Sequence, residues 1–142
     1  LTKLYLGQSQ CLQNSLYNSN EVTDNFEEVE IRSAAKELGK IMTKSCILKI
    51  DTEGSELPII CSIIHLIDKV DILCLEYHSE TDRRKIDLLL SPNYSLWFSQ
   101  SSSVHRGNLG YISYRMLMEF PHLDRREIKI DRDTLNNPNF SS

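Results

Sequence analysis

Apolar residues gather into short blocks along this chain, and the spacing within each block predicts its local structure. Residues 3–6 read as a short strand. The following stretch, 8–25, is rich in Gln, Ser and Asn, has little apolar surface to bury and is expected to be a loop. Residues 29–32 alternate apolar and polar as a half-buried strand does, and Ser33 then offers an N-cap to a brief helix over 34–38, ending near Gly39. Cys46-Ile47-Leu48-Lys49-Ile50 is an apolar run of strand length that stops abruptly at the polar turn Asp51-Thr52-Glu53-Gly54. Past that turn Ser55 is placed to cap a helix. Glu56 stands in its first turn, where negative charge suits the helix dipole, and Pro58 falls where a backbone N–H lacks a helical partner. This helix is expected to reach about Lys69, with Ile60, Ile63, Ile64 and Ile67 forming one apolar stripe.

Residues 71–77 supply a second apolar strand, and it too ends in polar chemistry, Glu76-Tyr77-His78. Two such strands joined by an amphipathic helix predict a βαβ unit. Asp82 can cap a further helix through Leu90 with Ile86, Leu89 and Leu90 turned inward. Two strands, 94–98 and 110–116, follow without a helical pattern between them and predict an antiparallel ending. Tyr94, Trp97 and Phe98 are expected in the core. Arg83-Arg84-Lys85 is expected on a solvated helix face, and His65 at the surface. No internal repeat is visible.

The length, 142 residues, suits one domain rather than two. Residues 1–118 are expected to form it, and the charged, Asn-rich stretch 119–142 to be a loosely attached tail. With 40% hydrophobic and 25% charged residues the composition is that of a globular chain. Sixteen Lys and Arg against twenty Asp and Glu give a net charge of -4, which argues against a general electrostatic grip on nucleic acid or anionic lipid. The apolar stretch 57–67 is too short to span a bilayer. Cys11, Cys46, Cys61 and Cys74 form no CxxC pair, and three of them sit in apolar runs. Reduced, buried thiols and a cytoplasmic location are the resulting expectations.

The segment Lys49-Ile50-Asp51-Thr52-Glu53-Gly54-Ser55-Glu56 resembles the K-I-D-x-E-G-x-E signature of FkbM-family methyltransferases, and Glu76-Tyr77-His78 resembles that family's E-x-H segment. Leu4-Tyr5-Leu6 and Asn14-Ser15-Leu16 resemble the stretch that precedes the signature, and Tyr94 the aromatic strand after it. The resemblance covers roughly residues 3–116. It implies S-adenosylmethionine as cofactor and a hydroxyl on a sugar or small metabolite as acceptor. It further implies an α/β fold, a partial Rossmann-like class I methyltransferase sheet in βαβαββ order with an antiparallel final strand. The family's glycine-rich cofactor loop has no counterpart here, because Gly7, Gly39, Gly54, Gly107 and Gly110 form no GxGxG cluster. The chain therefore reads as the carboxyl-terminal half of such a domain.

Ligands of an open α/β sheet bind beyond the carboxyl ends of its strands, where Asp51, Glu53, Glu76 and His78 all fall. Asp51, Glu53 and His78 are the expected catalytic residues, and Glu76 and Glu56 the expected substrate-binding residues. No residue is assigned to the cofactor or to a metal. Methyl transfer from a sulfonium is mainly a positioning problem, and a base need only take the acceptor's hydroxyl proton. Two other readings use the same residues: an oxygen-rich site for metal-dependent hydrolysis or phosphoryl transfer, and a half-domain that serves protein interaction. Asp51 or Glu76 taken alone is more simply explained as a helix cap or a solvated strand end, and Glu53 with Gly54 equally well as a tight turn entering a helix.

Overall fold

A computed structural model describes residues 1–7 and 22–124. Two sheets are present among them. The smaller pairs β1 (Thr2–Gly7) with β2 (Val22–Val29) antiparallel, Thr2 opposite Val29 and Tyr5 opposite Phe26. Lys3 Nζ lies 4.1 Å from the centre of the Phe26 ring. The larger sheet has the order β3-β4-β6-β5, from β3 (Cys46–Ile50), β4 (Val70–Tyr77), β5 (Tyr94–Ser103) and β6 (Arg106–Ser113). Strands β3 and β4 are parallel, and β6 is antiparallel to both its neighbours. The α/β class, the βαβ unit and the antiparallel ending are thus as the sequence led us to expect.

The helices bury one face of this sheet. Ile60, Ile63 and Ile67, which follow β3, and Ile86 and Leu90, which precede β5, close over Ile50, Leu73, Leu75, Leu109 and Tyr111. Alternation along a strand assigns Leu73, Leu75 and Tyr77 to that face and Ile72, Cys74 and Glu76 to the opposite one. The register carries the same division across the sheet, with Leu48 beside Leu73, Leu75 beside Leu109 and Tyr77 beside Gly107. Tyr94 anchors the far end. Its hydroxyl donates to the carbonyls of Ile67 and Val70 at 2.5 and 2.6 Å, and burial pushes its pKa well above the ordinary phenol value.

Several boundaries differ from the sequence expectation, each for a physical reason. Residues 22–25, expected in a loop, belong to β2, and the strand stops at Val29 instead of running over 29–32. Its residues 25–28 are exposed, so over them backbone pairing with β1, and not a buried face, makes the strand. Helix α1 (Ala34–Ile41) begins at the expected Ser33 cap, whose hydroxyl accepts from Lys36 N, and runs past Gly39. Helix α2 (Glu56–Ile63) gives way to a 3₁₀ segment, Ile64–Lys69, whose tighter winding leaves Ile64 exposed while Ile60, Ile63 and Ile67 stay buried. Helix α3 (Glu80–Leu90) is capped by Ser79, which accepts from Asp82 N, so Asp82 sits in the first turn and Leu89 turns outward.

The last two strands form a hairpin longer than expected. A bulge between Leu96 and Phe98 shifts the register, so Phe98 lies opposite Gly110 and is 43% exposed rather than in the core. Residues 114–116, expected as strand, instead open helix α4 (Tyr114–Glu119), which Ser113 caps by accepting from Met116 N. The expected tail start at Glu119 lies inside this helix, and the Leu123 carbonyl accepts from Trp97 Nε1 at 3.1 Å. Residues 125–142, and most of the expected loop 8–25 with Cys11 and Asn14-Ser15-Leu16, lie outside the described residues. Cys46, Cys61 and Cys74 are free thiols, but Cys61 is exposed and the other two only partly buried. Arg83 is not simply solvated: it is partly buried and bridges Glu80 and Asp87. His65 is exposed, as expected. Among the described residues no helix is long and apolar enough to cross a membrane.

Candidate active site

Strands β3 and β4 end side by side, because Ile50 pairs with Leu75 in a parallel register. Asp51 and Glu76 are the next residues of each, and alternation aims both to the face opposite the helices. His78 follows two residues after Glu76 on the same side. One ligand atom each from Asp51, Glu76 and His78 lie within 4.8 Å of one another. The convergence expected from the two polar strand ends is therefore present.

The turn from β3 into α2 is held from below. Glu53 adopts φ 51° and Gly54 φ 104°, both in the left-handed region, which costs a residue with a Cβ and suits glycine. One oxygen, Glu56 Oε1, gathers this turn. It accepts from Thr52 N at 3.2 Å, Thr52 Oγ1 at 3.1 Å and Gly54 N at 3.0 Å, and His78 Nδ1 lies 3.2 Å from it. Glu56 is 4% exposed. Ser55 stands at the cap position, but its side chain makes no capping hydrogen bond; the carboxylate of Glu56 serves the turn's donors instead. Glu56, expected to touch substrate, thus faces the underside of the loop.

Sequence reasoning missed Arg106. It is the first residue of β6, which runs antiparallel to β4 with Tyr77 opposite Gly107 and so brings Arg106 beside His78. Its Nε donates to Glu76 Oε1 at 2.9 Å, and its Nη2 donates to Glu53 at 3.1 and 2.9 Å. The same Nη2 lies 2.8 Å from His78 Nε2. The Glu53, Glu76 and Arg106 side chains are each 24% exposed. These contacts cross 53 and 30 residues of sequence, so only a correct hairpin register could have disclosed them.

Asp51 is the open member of the group. Its carboxylate is paired with Lys49 Nζ at 3.0 Å, an exposed ammonium whose pKa the Asp51 hydrogen bond and charge hold above the ordinary lysine value. The site as a whole sets four carboxylates, Asp51, Glu53, Glu56 and Glu76, against Lys49 and Arg106, with His78 between. It can accept hydrogen bonds from a hydroxyl, orient that hydroxyl and take its proton.

The expected residues Asp51, Glu53, Glu76 and His78 come together on the solvent side of the strand ends, and Glu56 joins them from within. His105 and His122 lie elsewhere, exposed. Comparison with protein-family models, with curated proteins and with solved structures finds no match to this chain.

Proposed function

We propose that this chain is the acceptor-binding half of an S-adenosylmethionine-dependent O-methyltransferase that acts on a hydroxyl of a sugar or small metabolite. The observation that carries the reading is the convergence of Asp51, Glu76 and His78 at the ends of two adjacent parallel strands, within 4.8 Å. These are the positions at which the chain resembles the K-I-D-x-E-G-x-E and E-x-H segments. The βαβαββ order over residues 46–113 supports it further.

The described residues do not offer the glycine-rich cradle that the resemblance implies for the cofactor. Gly39 lies within α1, Gly107 and Gly110 within β6, and Gly54 in a turn gathered by Glu56. We therefore assign roles only toward the acceptor. Asp51, exposed and paired with a mobile class of side chain, a surface lysine, is the group that takes the hydroxyl proton. Glu76 and His78 border the same space, where Glu76 orients the hydroxyl and His78 forms part of the wall. Glu53 holds Arg106, which fixes the far wall.

The spacing of Asp51, Glu76 and His78 also suits a divalent cation. Against that reading, Lys49 already sits on Asp51 and Arg106 on Glu76, so a metal would have to displace both side-chain cations. The test is transfer of labelled methyl from S-adenosylmethionine to a panel of hydroxylated sugars and small metabolites, by the protein expressed from its complete open reading frame. Transfer that needs no added metal is expected. Failure with every acceptor, or transfer strictly dependent on Mg²⁺ or Mn²⁺, would overturn these assignments.

A further inference from the structure

A neutral histidine carries its single proton on one ring nitrogen, and the hydrogen bonds around it decide which. At His78 the two nitrogens meet opposite chemistry. Nδ1 faces Glu56 Oε1 at 3.2 Å, an oxygen on which three other donors already converge. An oxygen on which donors converge acts as an acceptor, which favours a proton on the nitrogen facing it. Nε2 faces Arg106 Nη2 at 2.8 Å, and a guanidinium only donates, so it wants a lone pair there. Two carboxylates also lie near Nε2, Glu53 Oε2 at 3.1 Å and Glu76 Oε1 at 3.6 Å, but Arg106 donates to both, from Nη2 and Nε, so neither needs a proton from the ring.

From this geometry we infer that Glu56 is a positioning residue, which never touches the acceptor and holds His78 with its proton on Nδ1 and its lone pair on Nε2. Glu56 does this while gathering the Thr52 to Gly54 turn, so a single buried carboxylate fixes the loop that presents Asp51 and the ring beside it. His78 in turn accepts from Arg106 and completes the arginine's seat against Glu53 and Glu76. Its consequence for catalysis rests on the methyl-transfer reading, whereas the proton's location does not. In that reading the ring's acceptor nitrogen is already engaged by Arg106, which leaves Asp51 as the base and makes His78 part of the wall.

The proton can be located directly with ¹⁵N-labelled histidine, by two-dimensional NMR that correlates ring carbon-bound protons with both nitrogens while the ring is neutral. His78→Gln identifies its signals among the four histidines of the sequence. The wild-type protein is expected to show a protonated Nδ1 and an unprotonated Nε2. Glu56→Ala removes the acceptor at Nδ1 and should leave the ring a mixture of both tautomers, because at Nε2 the Arg106 donor and the Glu53 carboxylate then oppose each other. Glu56→Gln should restore the wild-type pattern, because the donors of Thr52 and Gly54 draw the amide oxygen to the place of Oε1. A wild-type ring protonated on Nε2 would overturn the inference, and so would a folded Glu56→Ala protein protonated on Nδ1 alone, as in wild type. The wild-type spectrum decides even if Glu56→Ala fails to fold. Absence of methyl transfer in the same protein would count against the methyl-transfer reading alone.

Discussion

Replacing Arg106 with methionine keeps most of the side chain's length and removes its charge and its fork of donors. Glu53, Glu76 and His78 Nε2 each lose a donor at 2.8 to 3.1 Å. The size of the loss depends on how wet these carboxylates are. An exposed pair contributes ~0.2–1 kcal/mol, whereas breaking a buried pair costs ~3–5 kcal/mol because a charge is stranded. With the three side chains only 24% exposed, the site lies between these limits and nearer the buried one. Solvent at that rim still screens, so we expect a loss of about 2 kcal/mol. Urea unfolding of wild type and variant measures this as a shift in midpoint at unchanged slope. A cycle with Glu53→Gln should return a coupling of about 1 kcal/mol, since contacting residues are not additive. Arg106→Lys should recover part of the loss, because the charge returns without the fork that reaches Glu53 and Glu76 together. A loss below about 0.5 kcal/mol would refute the reasoning, since that is the expectation for a wholly exposed pair.

Three other outcomes follow from the same structure. Gly107→Ala should destabilise by about 1–3 kcal/mol in the same unfolding assay, because a Cβ there would meet the Gln100 carbonyl at 2.4 Å and Tyr77 Cε1 at 2.8 Å. Glu80, held down to about 2 from an ordinary 4.5 by hydrogen bonds from Arg83 and Arg84, is more acidic folded than unfolded. Its contribution to stability is therefore fully present above pH 4.5 and lost as pH falls toward 2, and Glu80→Gln should flatten the acid limb of a Tm-against-pH curve. Calorimetry of this chain with S-adenosylmethionine should show little or no binding, and micromolar affinity, near about -8 kcal/mol, would place a cofactor site where none was assigned.

How far the sequence discloses this fold varies from element to element. Strands β3 and β4 could be read directly, because each is apolar enough to bury and each ends at charged residues, and helix α2 could be read from its start and apolar stripe though not from its end, where the 3₁₀ segment takes over at Ile64. The same contrast brought Asp51 and Glu76 into view, since an apolar strand that ends in an acid marks a sheet's carboxyl edge. Strand β2 was hidden, because Thr23-Asp24-Asn25-Phe26-Glu27-Glu28 has no apolar alternation in sequence, and residues 25–28 are exposed and held in the strand by pairing with β1. The hairpin's outer half, 99–103, was hidden for a like reason: a serine-rich run has no apolar period, and the pairing with β6 supplies the order. Arg106 was lost with it, because its role is set by register rather than by neighbours in sequence. The buried position of Glu56 was illegible too, since a glutamate in a first helical turn is ordinarily solvated.

Asp51 tests the account most directly. In the protein expressed from its complete open reading frame, Asp51→Asn should lower the single-turnover rate of methyl transfer by about 10²-fold or more, the range for loss of a general base. Its Tm should stay within a few degrees of wild type, because among the described residues the ion pair given up is with an exposed lysine. A normal rate per folded molecule with a lowered Tm would contradict the account and leave Asp51 as a structural strand-end residue.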